Sequence, residues 1–145
     1  MSEQSYSGDK LPGEAWETLA SEPGTVLIDV RTAAEWAFVG LPDLSGAGGS
    51  LLQVEWQSYP SMQVNPAFVE TVDQAMRGSA RGADTAILFL CRSGARSAAA
   101  AAAMTAAGYS RCYNIAGGFE GRRDPDGHRG TVEGWKAEGL PWVQP

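Results

Sequence analysis

Short unbroken apolar runs and one alanine tract, separated by polar stretches rich in glycine and proline, set the pattern of this chain. Ile87-Leu88-Phe89-Leu90 runs straight into Cys91, a polar loop follows, and residues 98–107 are almost all alanine, closed by Gly108. An apolar run without alternation suits a strand buried on both faces of a parallel sheet. Alanine has the best helix propensity, and a glycine just beyond suits a C-terminal cap. The stretch therefore predicts strand, tight loop and helix. Residues 25–30 predict a second buried strand, 51–56 a short edge strand and 111–115 a further one. A helix is expected over residues 11–20, with Pro12 in the first turn, Glu14 near the positive end, and Trp16, Leu19 and Ala20 on one side. Asn65-Pro66 opens another, whose apolar stripe is Phe68, Val69, Val72, Ala75 and Met76. Residues 116–119 predict a turn into a short helix, and 132–138 a short final helix around Trp135. Residues 1–9 are polar and expected to fray, leaving one domain over 10–145.

Composition narrows the classes. A chain of 145 residues and 15.3 kDa is expected to form one domain with a sizeable core. A net charge of −6 argues against nucleic-acid or anionic-membrane partners. Two cysteines do not make a disulfide framework. No leader-like apolar segment opens the chain and no run is long enough to span a bilayer, so a reducing cytoplasmic location is expected. His128 is the only histidine, which excludes a multi-histidine metal site within one chain. Asp124-Pro125-Asp126-Gly127 is faintly similar to the start of a calcium loop but lacks its remaining ligands. No metal and no cofactor are expected.

The candidate chemistry lies at Cys91, at the carboxyl end of a predicted central strand, where open α/β sheets place ligands. The following loop wraps over a helix N-terminus, whose N–H groups and dipole favour negative charge. That setting favours the thiolate, the nucleophilic form of cysteine. A free cysteine can also be a small buried hydrophobe, but the loop Arg92-Ser93-Gly94-Ala95-Arg96-Ser97 is hard to explain as packing. Asp29 and Arg31 straddle the end of a strand on the same sheet edge. They either brace the loop, through hydrogen bonds to its backbone or to Arg96, or form an ordinary helix cap and a surface ion pair. Glu35 lies near the site mouth or on an exposed helix face. Trp56 and Tyr59 are read as core in preference to mouth, and Cys112 as a packed thiol in preference to a resolving one.

Three segments carry a family resemblance. The loop Cys91-Arg92-Ser93-Gly94-Ala95-Arg96-Ser97 resembles the active-site loop of the rhodanese family of sulfurtransferases. Leu27-Ile28-Asp29-Val30-Arg31, continuing to Glu35-Trp36, is similar to that family's first signature. Asn114-Ile115-Ala116-Gly117-Gly118-Phe119 and the later Trp135 to Trp142 segment are similar to its C-terminal signature. The order of motifs also agrees, over nearly the whole chain. The Gly-His-Ile-Pro-Gly-Ala turn of many rhodaneses is replaced by Gly40-Leu41-Pro42-Asp43-Leu44-Ser45, without the histidine, so no general base is assigned there.

The resemblance implies an α/β, three-layer rhodanese-like fold, with a mainly parallel sheet of about five strands and helices on both faces. It implies a persulfide on Cys91, loop contacts from Arg92 through Ser97, and support from Asp29, Arg31 and Glu35. The expected partners are a small anionic sulfur donor, thiosulfate or a persulfide, and a thiol, cyanide or protein acceptor. Four residues separate Cys91 from Arg96. Cysteine phosphatases and arsenate reductases use a loop one residue longer, sized for a tetrahedral oxyanion. They remain the rival enzymes, and a sulfur carrier or interaction module without turnover remains the rival class.

Overall fold

The structure is a computed structural model that describes residues 5–58 and 60–144. Tyr59 lies outside the described residues. In chain order the elements are β1 (Gly8–Lys10), α1 (Pro12–Ser21), β2 (Val26–Asp29), α2 (Ala33–Val39), β3 (Leu41–Pro42), β4 (Ser50–Gln53) and β5 (Gln57–Ser58). They continue with β6 (Gln63–Val64), α3 (Phe68–Gly78), β7 (Ile87–Leu90), α4 (Ala95–Ala106), β8 (Cys112–Ile115) and β9 (Trp142–Val143). Five strands form one sheet in the order β1-β8-β7-β2-β4, and every pair in it is parallel. This is the α/β architecture expected from the apolar runs. β7 sits at the centre, which is why Ile87–Leu90 is buried at every position.

Two cores flank the sheet because side chains alternate along each strand. Val26, Ile28, Ile87 and Phe89 face one side, against Phe68, Val72 and Met76 of α3 and Ala100, Ala101 and Met104 of α4. Leu27, Leu88 and Leu90 face the other, against Ala15 and Leu19 of α1, with Phe119 and Trp135 from the irregular C-terminal segment. The layers are thus helices on one face and a helix plus loops on the other. The alanines bring α4 close to the sheet, since a methyl group keeps the helix backbone near its neighbour. No helix among the described residues is long and apolar enough to cross a membrane.

Several local expectations change. β1 begins at Gly8, inside the segment expected to fray, because its backbone pairs with Tyr113, Asn114 and Ile115 of β8. α3 begins at Phe68 rather than at Asn65-Pro66: the Asn65 side chain instead accepts the Ala67 N–H at 3.0 Å and holds the turn before the helix. No short helix follows Phe119, and residues 132–138 form turns rather than a helix. There Gly134 has φ +100°, and the N–H groups of Trp135 and Lys136 reach across to the carbonyls of Gly118 and Phe119. Those cross-links replace the bonds a helix would make within its own first turn.

Candidate active site

The site is assembled where β7 ends and α4 begins. Cys91 follows the last strand residue and is 1% exposed. Gly94 provides the turn into α4 with φ +118°, a conformation that L side chains avoid. Its N–H lies 3.1 Å from Cys91 Sγ. Ser97, fully buried in the first turn of α4, places its hydroxyl 3.2 Å from the same sulfur. The adjoining N–H groups of Ala95, Arg96 and Ser97 are those a helix leaves without intrahelical partners.

A buried chain of polar groups continues behind Ser97. Its Oγ lies 2.5 Å from Asn114 Oδ1 on β8, and Asn114 Nδ2 donates to Asp9 Oδ1 on β1 at 3.0 Å. The Asp9 carboxylate requires the amide nitrogen, so the amide oxygen must face Ser97. A hydroxyl has one proton to give. With Cys91 as a thiol, Ser97 can donate to Asn114 and accept from the S–H. With Cys91 as a thiolate, the hydroxyl proton can turn to sulfur. Ser97 therefore has partners for both states of the cysteine. Asn114 and Asp9 were not singled out from the sequence. A polar residue inside an otherwise apolar buried strand was the available signal for Asn114.

The carbonyls of the loop are drawn the other way. Phe119 N–H donates to the Cys91 carbonyl at 2.8 Å, and the N–H groups of Glu120 and Gly121 both reach the Arg92 carbonyl at 3.0 Å. Gly118 is required for this approach: at φ +66°, a Cβ there would fall 2.5 Å from the Cys91 oxygen. The turn after β8 thus clamps the outside of the cysteine loop.

The two arginines of the loop have different positions. Arg96 forms a two-pronged pair with Glu35, at 2.7 and 3.0 Å. Glu35 also closes the N-terminal capping box of α2, accepting from the Thr32 N–H and hydroxyl. Burial pushes the Glu35 carboxyl up, but the Arg96 fork, its charge and Thr32 outweigh it and hold the group below its ordinary range. Burial likewise opposes the Arg96 charge, and Glu35, with smaller contributions from Cys91 and Asp29, raises it overall. Arg92 is exposed at the mouth. Ser93 and Ala95 are also exposed.

Among the described residues Asp29 and Arg31 make no hydrogen bond to the loop backbone or to Arg96, contrary to the first of the two sequence readings, and the ion pair of the second reading is buried rather than at the surface. Both are fully buried, and Arg31 spends its guanidinium on Asp29 at 2.6 and 2.9 Å and on the Gly40 carbonyl at 2.8 Å. Its Cζ lies 4.3 Å from the centre of the Phe119 ring, whose own N–H holds the Cys91 carbonyl. Arg31 thus meets Phe119, the neighbour of the loop, and the direct partner of Arg96 is Glu35. Trp56 is half-buried, with its ring edge-on to Phe68 at 5.1 Å. Cys112 is fully buried with Sγ 3.6 Å from the Tyr109 carbonyl, and burial pushes its thiol up. Asp124 is occupied within its own loop: Oδ1 accepts from Asp126 and His128 N–H, and Oδ2 from the Thr131 hydroxyl.

A cleft of about 500 Å³ opens beside the loop, walled by Arg92, Arg96, Glu35, Glu120, Arg129, Gln57, Val39 and Met62. Arg129 was not read as a site residue from the sequence, because only the folding of residues 120–130 brings it there.

Comparison with known proteins places the chain among relatives. Residues 8–145 match the family described as STR4 middle domain. The fold is similar to the crystal structure of Rv0390 from M. tuberculosis, with 45% sequence identity and a TM-score of 0.85, covering 97% of this chain and 99% of that one. The sequence is 36% identical over 129 residues to the uncharacterized protein RP600 homolog of Rickettsia rickettsii, 89% of this chain and 91% of the relative. It is 27% identical over 129 residues to a protein of Allochromatium vinosum named sulfurtransferase, covering 89% and 88% respectively.

Proposed function

The chain belongs to the STR4 middle domain family, a rhodanese-like family, and from that membership we propose that it is a sulfurtransferase whose Cys91 carries sulfur as a persulfide. The observation that supports this most directly is the setting of Cys91 Sγ, held between the Gly94 N–H and the Ser97 hydroxyl at the mouth of α4. Both groups can donate to a sulfur anion.

The cycle has two steps. The Cys91 thiolate attacks the outer sulfur of thiosulfate, a new S–S bond forms, the old S–S bond breaks, and sulfite leaves with the electron pair. The product is Cys91–S–S⁻. An acceptor nucleophile, cyanide or a thiolate, then attacks the terminal sulfur, and Cys91 leaves as a thiolate. A persulfide donor enters the same cycle with a thiolate as leaving group. The helix N-terminus and the loop donors stabilise the terminal sulfur anion, which is oxyanion-hole logic applied to sulfur. Arg96, neutralised by Glu35, organises the loop, and Arg92 meets the donor. The short loop is sized for one added sulfur atom rather than for a phosphate.

Intact mass after incubation with thiosulfate tests the proposal. The expected result is a gain of one sulfur atom, absent in Cys91→Ser and removed by cyanide. Folded protein with a free thiol that gains no sulfur from thiosulfate or from any persulfide would overturn it. Turnover with donor and acceptor in excess separates a catalyst from a carrier that loads once.

A further inference from the structure

Residues 120–130 are a polar excursion outside both cores, yet they carry Arg129 into the cleft beside the loop that follows Cys91. Three arginines wall that cleft, in a protein of net charge −6. Arg96 is matched by Glu35. Arg92 and Arg129 have no carboxylate partner among the described residues. Glu120, the remaining acid of the cleft, also acts on the ammonium of Lys136. The local field is therefore positive where the global one is negative, and it is focused on two guanidinium groups.

The position of Arg129 is built rather than loose. One of its terminal nitrogens donates to the Gly121 carbonyl at 2.7 Å. The Gly121 N–H in turn holds the Arg92 carbonyl at 3.0 Å, so the two arginines hang from one turn. Gly130 N–H closes the excursion on the Glu120 carbonyl at 2.7 Å. A single anchoring bond leaves most of the five guanidinium donors of Arg129 available to a ligand. The planar donor fork matches an oxyanion in a way a lysine does not.

We propose that Arg129, with Arg92, forms an anion-binding clamp in the cleft beside the Cys91 loop that selects sulfur donors carrying an oxyanion group. This rests on the sulfur-transfer reading of Cys91 and adds to it the residue that sets donor preference. The oxyanion is a sulfonate in thiosulfate or a carboxylate in an organic persulfide. The cleft is roomy enough for either, and Val39 and Met62 supply an apolar wall for the organic one.

The test compares Arg129→Ala and Arg129→Lys with the parent protein on three donors: thiosulfate, glutathione persulfide and an uncharged alkyl persulfide. Arg129→Ala is expected to raise KM for the anionic donors about tenfold, as for loss of one charge-assisted hydrogen bond. The loss on the uncharged donor should be smaller by about that factor, and Arg129→Lys should recover part of the difference. A larger effect on thiosulfate points to the sulfonate as the preferred oxyanion, and a larger effect on glutathione persulfide to the carboxylate. Equal losses on charged and uncharged donors, or no change with thiosulfate and glutathione persulfide, would overturn the clamp. Calorimetric binding of sulfite to Cys91→Ser, with and without Arg129→Ala, reads the clamp without any sulfur transfer. About tenfold weaker sulfite binding on loss of Arg129 supports the clamp even if persulfide loading fails, and unchanged binding counts against it.

Discussion

At the scale of single residues, Ser97 concentrates the chemistry. Its hydroxyl is the buried link between Cys91 Sγ and Asn114. Ser97→Ala removes a donor to the sulfur anion and leaves Asn114 Oδ1 without its proton. Persulfide formation with thiosulfate should slow about tenfold or more, as expected when a charge-assisted hydrogen bond worth about 1.5–3 kcal/mol is lost. Ser97→Thr keeps the hydroxyl and should restore most of the rate in the same stopped-flow measurement. Equal rates in the parent and Ser97→Ala would remove Ser97 from the site. The residues on either side of this link differ in how visible they were. Cys91, Arg96 and Ser97 lie in one contiguous loop, so the strand-end cysteine and the family resemblance of that loop bring them out together. Asn114 and Asp9 come from two other strands, and only the register of β1 on β8 brings them behind Ser97. Glu35 stood in the sequence as one of several acids near the site. Its choice of Arg96 follows from α2 being capped at Thr32, which points the carboxylate back across the loop.

Between elements, the site depends on two clamps around the loop from β7 to α4. The first is the Glu35–Arg96 pair joining α2 to α4. A carboxyl held below its ordinary value adds stability that is complete above that value, near 4.5, and that disappears as pH falls through the lower value of the fold. Glu35→Gln cannot contribute this term. The parent should therefore lose Tm more steeply than Glu35→Gln as pH falls below the ordinary value of 4.5, and the two curves should converge in acid. At neutral pH the variant should be less stable by about 1–2 kcal/mol, because the half-buried guanidinium loses its charged partner. Parallel Tm curves would show that the pair contributes nothing. The second clamp is the turn at Gly118 and Gly121. Gly118→Ala would drive a methyl group into the Cys91 and Arg92 backbone. It should abolish sulfur loading, whereas Gly127→Ala, also at positive φ but with open space around it, should cost only about 1–2 kcal/mol and still load sulfur. Loading by both variants, read by intact mass, would show that the turn does not shape the loop.

For the molecule as a whole, legibility followed the source of each element's stability. β2, β7, β8, α3 and α4 were readable because their own apolar positions bury them. β1, β3, β9 and the β5–β6 hairpin were not, since two or three partly exposed residues become strands only by pairing with something already formed. The sequence around Trp135 suits a helix and a run of turns alike, because an aromatic anchor and a short apolar spacing are common to both conformations. The sheet register also decides the fate of the second cysteine. Cys112 pairs with Ile87, at the opposite end of β7 from Cys91. The four residue steps from Ile87 to Cys91 put roughly 13 Å between the two cysteines along the strand direction. A disulfide needs Cα atoms within about 7 Å. Burial also disfavours the Cys112 thiolate that would have to attack the persulfide. On the proposed cycle, a Cys91 persulfide would therefore have to be discharged by an acceptor from outside the chain. Cys112→Ala should leave persulfide loading and cyanide-dependent turnover within about twofold of the parent, with a stability loss of about 1 kcal/mol for the small void. Peptide mapping after treatment of the loaded protein should find no bridge between the two cysteines. A mapped Cys91–Cys112 bridge, or turnover lost with Cys112, would mean that the strands slide or open during the cycle, and that sulfur leaves through the core rather than through the cleft.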